Sequence, residues 1–223
     1  MAVYDHEEQE QLDALKAWWR DHGNKVINVV LVVALIAAGA SGWKWWQAKR
    51  AGAASVVYGQ LQAAAEKKDT KAVRDAAVEL ADKYSGTAFA GMGALVAARV
   101  QEDAGDTKNA QAQLAWAADK ASDPALRDLA RLRLAGLLLD QKSYDEALQQ
   151  LSKESEKSFA ARYAELKGDV YLAQGKKDEA RVAYQDAMNK LDGQGGDAGP
   201  ASQQGAMYRQ MLQIKLESLG GKA

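Results

Sequence analysis

Apolar and polar positions along this chain follow two regimes. Residues 26–46 read VINVVLVVALIAAGASGWKWW, with one uninterrupted apolar run from Val29 to Ala38. That is about the 20 residues that cross a bilayer as a helix, and at about 1.5 Å per residue it spans about 30 Å, one hydrocarbon core. After Arg50 the apolar positions recur at threes and fours, with two prolines in the chain and no sustained alternation, which predicts helices almost throughout. Ahead of the apolar run, residues 5–22 place Leu12, Leu15 and Trp19 on one helical face, acidic early and basic late as the helix dipole prefers. Gly23-Asn24 is a candidate C-cap, giving a short helix on the membrane surface; the alternative is a helix continuous with the apolar run.

Five of the six tryptophans flank the run, Trp18 and Trp19 before it and Trp43, Trp45 and Trp46 after it, where indoles settle among headgroups. Lys44 among the last three marks the far boundary, since a lysine at the bilayer centre costs roughly 2.5 to 3.5 kcal/mol. Ala38-Gly39-Ala40 has the form of a cleavage site, but a signal peptide begins short and basic, and this leader carries Asp5, Glu7, Glu8, Glu10 and Asp13. A retained anchor is the reading. Ala34, Ala38 and Gly42 recur every four residues and make a smooth strip, either for another membrane helix or simply facing lipid.

Beyond the anchor a unit repeats. Gly168, Tyr171, Gly175, Ala180, Tyr184 and Ala187 are spaced 3, 4, 5, 4 and 3 residues apart. The same template falls on Ala98, Gln101, Gly105, Ala110, Leu114 and Ala117, and on Ala135, Leu138, Lys142, Ala147 and Leu151, with origins 37 and 33 residues apart. Such periods describe helix–turn–helix units: small residues let two helices cross closely, large ones fill the space beside the crossing, and the turn residue ends the first helix. One pair cannot bury its own apolar face, so the units stack. Residues 55–84 have the helix-pair shape but fit the template poorly, and read as a degenerate capping repeat. Ser122-Asp123-Pro124 is a helix start. Residues 192–202 (DGQGGDAGPAS) read as a flexible connection and 206–219 as a final helix.

Composition narrows the function. A formal net charge of −1 gives no basic excess for phosphate, so no nucleic-acid partner is expected. The absence of cysteine excludes disulfides, zinc-thiolate sites and thiol catalysis. Lys16, Arg20 and Lys25 before the span balance Lys44, Lys49 and Arg50 after it, so charge alone does not orient the anchor. His6 and His22, 16 residues apart, lack metal-ligand spacing, and Ser41-Gly42-Trp43-Lys44 matches the S-x-x-K string of acyl enzymes only at a membrane boundary without a later partner motif. Gly193–Gly196 lacks the lysine and strand of a phosphate loop, and the carboxylates Asp103, Asp106, Asp145, Glu146, Asp178 and Glu179 read as caps and solvated faces. No catalytic, cofactor or metal residue is expected, and the chain is read as non-enzymatic.

The unit at Gly168 resembles a tetratricopeptide repeat. It lacks the usual terminal proline, and Lys142 stands where glycine is typical. From the EEQEQLDALKAWWRDHG leader through the anchor to the repeats, the whole chain is similar to the YfgM family, the ancillary subunit of the bacterial Sec translocon. The resemblance implies an all-α fold: a single transmembrane helix followed by a tetratricopeptide-like α-solenoid of helix pairs. It divides the chain into a cytoplasmic leader (1–24), the membrane helix (25–46) and a periplasmic repeat domain (47–223) in the bacterial inner membrane. It also implies as partners the Sec translocon, a membrane-anchored periplasmic chaperone of the prolyl-isomerase type and exported polypeptides, beside membrane lipid.

Solenoids bind along the surface lined by the first helix of each pair. On the resemblance, residues 124–140 form that helix in the middle unit, with Leu129, Leu132, Gly136 and Leu139 facing the groove; burial between repeats is the competing reading. Met92, Leu95 and Arg99 before it, and Arg162, Glu165 and Asp169 after it, extend the groove with polar ends. The alternative function keeps the fold but turns it inward, as a membrane-anchored tetratricopeptide docking receptor facing the cytoplasm.

Overall fold

A computed structural model describes residues 4–153, 155–193 and 202–220. The chain divides into two units, Met1–Arg50 and Ala51–Ala223. The described residues form helices α1 (Tyr4–Glu66), α2 (Thr70–Tyr84), α3 (Ala88–Asp103), α4 (Thr107–Lys120), α5 (Pro124–Asp140), α6 (Tyr144–Leu151), α7 (Lys157–Ala173), α8 (Lys177–Asp192) and α9 (Gln203–Ser218), and no strand. Of the expected connection at 192–202, residues 194–201 lie outside the described residues.

In the first unit the helix runs through Gly23 and Asn24, so the expected C-cap there does not form. The Trp19 indole explains why glycine is accommodated mid-helix: it lies over Gly23, its Nε1 3.2 Å from where a Cβ would stand. Residues 27–46 are all exposed, Leu35 to 71%. Among the described residues α1 is the one helix long and apolar enough to cross a membrane. At its edges Trp18 stacks on His22 at 5.3 Å, while Lys49 and Arg50 lie over the Trp45 and Trp46 rings at 5.4 and 4.7 Å. Such pairs hold indoles and cations together at the depth where both are stable, the headgroup layer.

The second unit is a stack of helix pairs: residues 51–66 of α1 with α2, α3 with α4, α5 with α6, and α7 with α8, followed by α9. Each pair turns at one residue in the left-handed region: Lys68 (φ 56°), Gly105 (78°), Lys142 (60°) and Gly175 (77°). The next residue, Asp69, Asp106, Ser143 or Lys176, donates its N–H to the carbonyl five residues back at 2.8–3.0 Å, the bond that closes a helix end in a Schellman turn. Asp69 and Asp106 then cap the following helix, accepting from the backbone N–H of Ala72 at 3.0 Å and Asn109 at 3.3 Å. Pro124 opens α5 behind Asp123, whose carboxylate accepts from the Ala125 N–H at 2.8 Å, as the sequence predicts.

The four equivalent turns show that the first pair is a full member of the array. Counting seven residues back from Lys68 puts its origin at Leu61, and the template falls on Leu61, Val73, Ala77 and Leu80, all in one buried cluster. Sizes are exchanged: where later units have small, large, small (Ala98/Ala110, Leu114, Ala117), this one has large, small, large. Gly93 of α3 compensates, since a Cβ there would stand 2.5 Å from Leu80 Cδ1. In the last pair the original sense holds, with the Tyr184 ring against Gly168, its Cε1 2.4 Å from a would-be Cβ.

Candidate partner-binding groove

Relative to each origin, the predicted groove residues other than Leu139 occupy the same three places, six and three residues before it and one after; Leu139 lies four residues after its origin, one turn further along α5. In the second unit Met92 is half-buried, Leu95 lies in the core at 6% exposure, and Arg99 is exposed with its Nε donating to both Asp103 oxygens at 3.0 Å. In the third, Leu129, Leu132 and Leu139 are half-buried and pack against the main core cluster, so core and surface roles are shared by the same side chains. Leu95 is drawn inward because it joins Leu114 and Leu134 in that cluster.

The open space lies beside these leucines. A cavity of about 620 Å³ is framed by Arg99 and Glu102 of α3, Leu114 of α4, and Arg133, Gly136, Leu137 and Asp140 of α5. Its floor is apolar and its rim carries two cations and two carboxylates. A Cβ on Gly136 would meet nothing within 4 Å, so this glycine serves no packing need inside the chain, although glycine within a helix costs about 1 kcal/mol relative to alanine. Glu102, Arg133, Leu137 and Asp140 were not among the residues expected from sequence. The signal that finds the last three is the spacing of Arg133, Gly136, Leu137 and Asp140 on one face of α5, which follows only once neighbouring Leu134, Ala135 and Leu138 are known to be buried.

The fourth unit closes its groove face with its own C-terminal helix. Arg162 stacks on the Tyr208 ring at 4.6 Å, and the Tyr208 hydroxyl donates to Glu165 Oε2 at 2.8 Å. Lys215 Nζ donates to Glu165 Oε1 at 2.7 Å and to the Asp169 oxygens at 2.7 and 2.8 Å, while the Tyr184 hydroxyl donates to Asp169 Oδ1 at 2.7 Å. Burial works against the Lys215 ammonium, but hydrogen bonds to Asp169 and Glu165 outweigh it and hold its pKa above the ordinary lysine range. Burial, with the adjoining carboxylates, pushes the Tyr184 and Tyr208 hydroxyls up as well, so both stay protonated donors. Glu165 and Asp169 are thus engaged within the chain.

A second buried network joins α5 to α7. The Asp128 carboxylate, 2% exposed by residue, accepts from the Glu156 N–H at 2.8 Å, the Tyr163 hydroxyl at 2.9 Å and Arg131 Nη1 at 3.1 Å. It fixes the start of α7 against the middle helix and so sets the geometry of the groove between them. Along α1, Ala34, Ala38 and Gly42 are all exposed, and a Cβ on Gly42 would meet nothing within 4 Å. No group of three or more His, Cys, Asp or Glu able to hold a metal occurs among the described residues.

Residues 16–221 match the model of the tetratricopeptide repeat-like domain family. The chain is 32% identical over 217 residues to the ancillary SecYEG translocon subunit of Neisseria gonorrhoeae, covering 96% of this chain and 97% of that one. It is 30% identical over 189 residues to the protein of the same name from Haemophilus influenzae, 83% and 91% of the two chains, and 27% identical over 223 residues to that of Escherichia coli, 98% and 99%. With its repeat turns, apolar N-terminal helix and end-to-end similarity, this chain belongs to the YfgM family of tetratricopeptide repeat-like ancillary translocon subunits.

Proposed function

We infer that this protein is a non-enzymatic, single-pass accessory subunit of the Sec translocon, with residues 1–24 in the cytoplasm, 25–46 across the inner membrane and the repeats in the periplasm. The observation that carries the reading is similarity over nearly the whole length to relatives named ancillary SecYEG translocon subunit, anchor and repeats together. The repeats bind protein partners along the face of α3 and α5, the part that α9 leaves open, and help pass exported chains to a membrane-anchored periplasmic chaperone of the prolyl-isomerase type. The polar-rimmed cavity between α3 and α5 supports this, because an apolar floor with charges of both signs at its edge suits a polypeptide segment better than a small anion or a metal. The Ala34, Ala38 and Gly42 strip is the part of the anchor suited to close approach by a translocon helix.

Two measurements test the reading. A reporter fused after Ala223 and active only outside the cytoplasm fits it; activity in the cytoplasm selects the inward-facing docking receptor instead. Full-length protein solubilised in mild detergent co-purifies with the translocon channel, and its recovery without any channel subunit overturns the assignment.

A further inference from the structure

The two ends of the apolar run in α1 carry opposite charge. Ahead of it, residues 1–25 hold six carboxylates against three cations, and two of those cations have acidic neighbours: Lys16 Nζ lies 3.1 Å from Asp13 and Arg20 Nε 4.0 Å from Asp21. Behind it stand Lys44, Lys49 and Arg50, and no Asp or Glu occurs between Asp21 and Glu66. An equal number of Lys and Arg at each end therefore hides a difference of sign in the local field, negative before the run and positive after it.

The positive end also holds its charges at one depth. Trp43, Trp45 and Trp46 are exposed, and indoles at the end of an apolar span settle among headgroups. Lys49 Nζ lies 5.4 Å from the centre of the Trp45 ring and the Arg50 guanidinium 4.7 Å from that of Trp46, whose ring is tilted against Trp43 at 5.2 Å. Lys44 sits five residues nearer the bilayer centre than Lys49, about 7.5 Å along the axis, a gap that its flexible stem closes by reaching outward. We propose that this end of α1 binds acidic phospholipids, whose headgroups carry net negative charge, in preference to zwitterionic ones. An ammonium donates to phosphate oxygens and a guanidinium does so bidentately, whereas a zwitterionic headgroup brings a cation of its own that these side chains repel. The indoles select lipid over an acidic protein segment, because they set the cations in the layer that lipid phosphates fill. The inference rests on the anchor reading and adds the class of lipid that the anchor selects.

The test reads tryptophan quenching in full-length W18F/W19F protein, in which Trp43, Trp45 and Trp46 are the reporters at the membrane. The protein is reconstituted in phosphatidylcholine bilayers containing either dibrominated phosphatidylglycerol or dibrominated phosphatidylcholine. Association beside the indoles favours the brominated phosphatidylglycerol by about fivefold, the effect of about one cation at an anionic surface. Adding K44Q/K49Q removes most of that preference while quenching by brominated phosphatidylcholine and the far-UV spectrum stay unchanged; adding K16Q/K25Q, at the acidic end, leaves the preference intact. Equal quenching by the two lipids overturns the proposal, as does a preference that K44Q/K49Q retains in full or that K16Q/K25Q also abolishes. Absence of quenching by either lipid refutes the bilayer-spanning anchor itself, and the proposal with it.

Discussion

Both amide atoms of Gln101 are sealed from solvent with no partner among the described residues, at a template place where the next two units carry Leu138 and Tyr171. A buried amide without partners costs about 1–3 kcal/mol, so Gln101→Leu is expected to stabilise the folded state by about that amount in urea denaturation. The opposite is expected at Asp128. Its three donors, one of them on a cation whose Nε is itself buried and unpartnered, lose their acceptor in Asp128→Ala, and removal of one partner of a buried charge network costs about 3 kcal/mol. Neither residue was legible in the sequence as special: a glutamine at an apolar template place and an aspartate in a leucine-rich helix both look like ordinary polar interruptions until neighbours across 28 to 35 residues are in place.

At the scale of elements, glycines with different work separate cleanly. Gly168→Ala must displace the Tyr184 ring, and overpacking of this kind costs typically 1–3 kcal/mol, whereas Gly136→Ala meets open space and gains about 1 kcal/mol of helix propensity. Thermal melts of the two variants should therefore move in opposite directions. Helix positions, the Asp123-Pro124 start and the template turns followed from periodicity and cap chemistry, which are local. The first pair looked degenerate because the template was written in residue sizes, and Leu61, Ala77 and Leu80 invert those sizes while keeping the places. Lys68 at the first turn hid the register in the same way, although the template places Lys142 at its turn, since a left-handed φ is a property of the backbone that glycine favours but does not monopolise. Of the residues expected to line a groove, Leu129, Leu132 and Leu139 divide between core and surface, and the open cavity lies one step around α5.

For the molecule as a whole, the polar seal between α7 and α9 makes stability depend on alkaline pH. Lys215, Tyr184 and Tyr208 all have folded pKa values raised above ordinary values of 10.5, 10.0 and 10.0. The folded state then holds protons that the unfolded chain has released, so the contribution is complete below about pH 10 and is lost as pH rises through the raised values. Lys215→Met should be less stable than the wild type at pH 8, and the difference should shrink above pH 10.5, as read from urea midpoints across the range.

The central claim is that one bilayer-spanning helix holds this repeat array where its groove meets protein partners beside the translocon. Site-specific photocrosslinking from Arg133, at the rim of the cavity between α3 and α5, in intact inner membranes tests it most directly. Adducts with translocon subunits, the periplasmic chaperone or chains in transit are the predicted result; adducts confined to cytoplasmic proteins, or the protein recovered in the soluble fraction with no adduct, would contradict it.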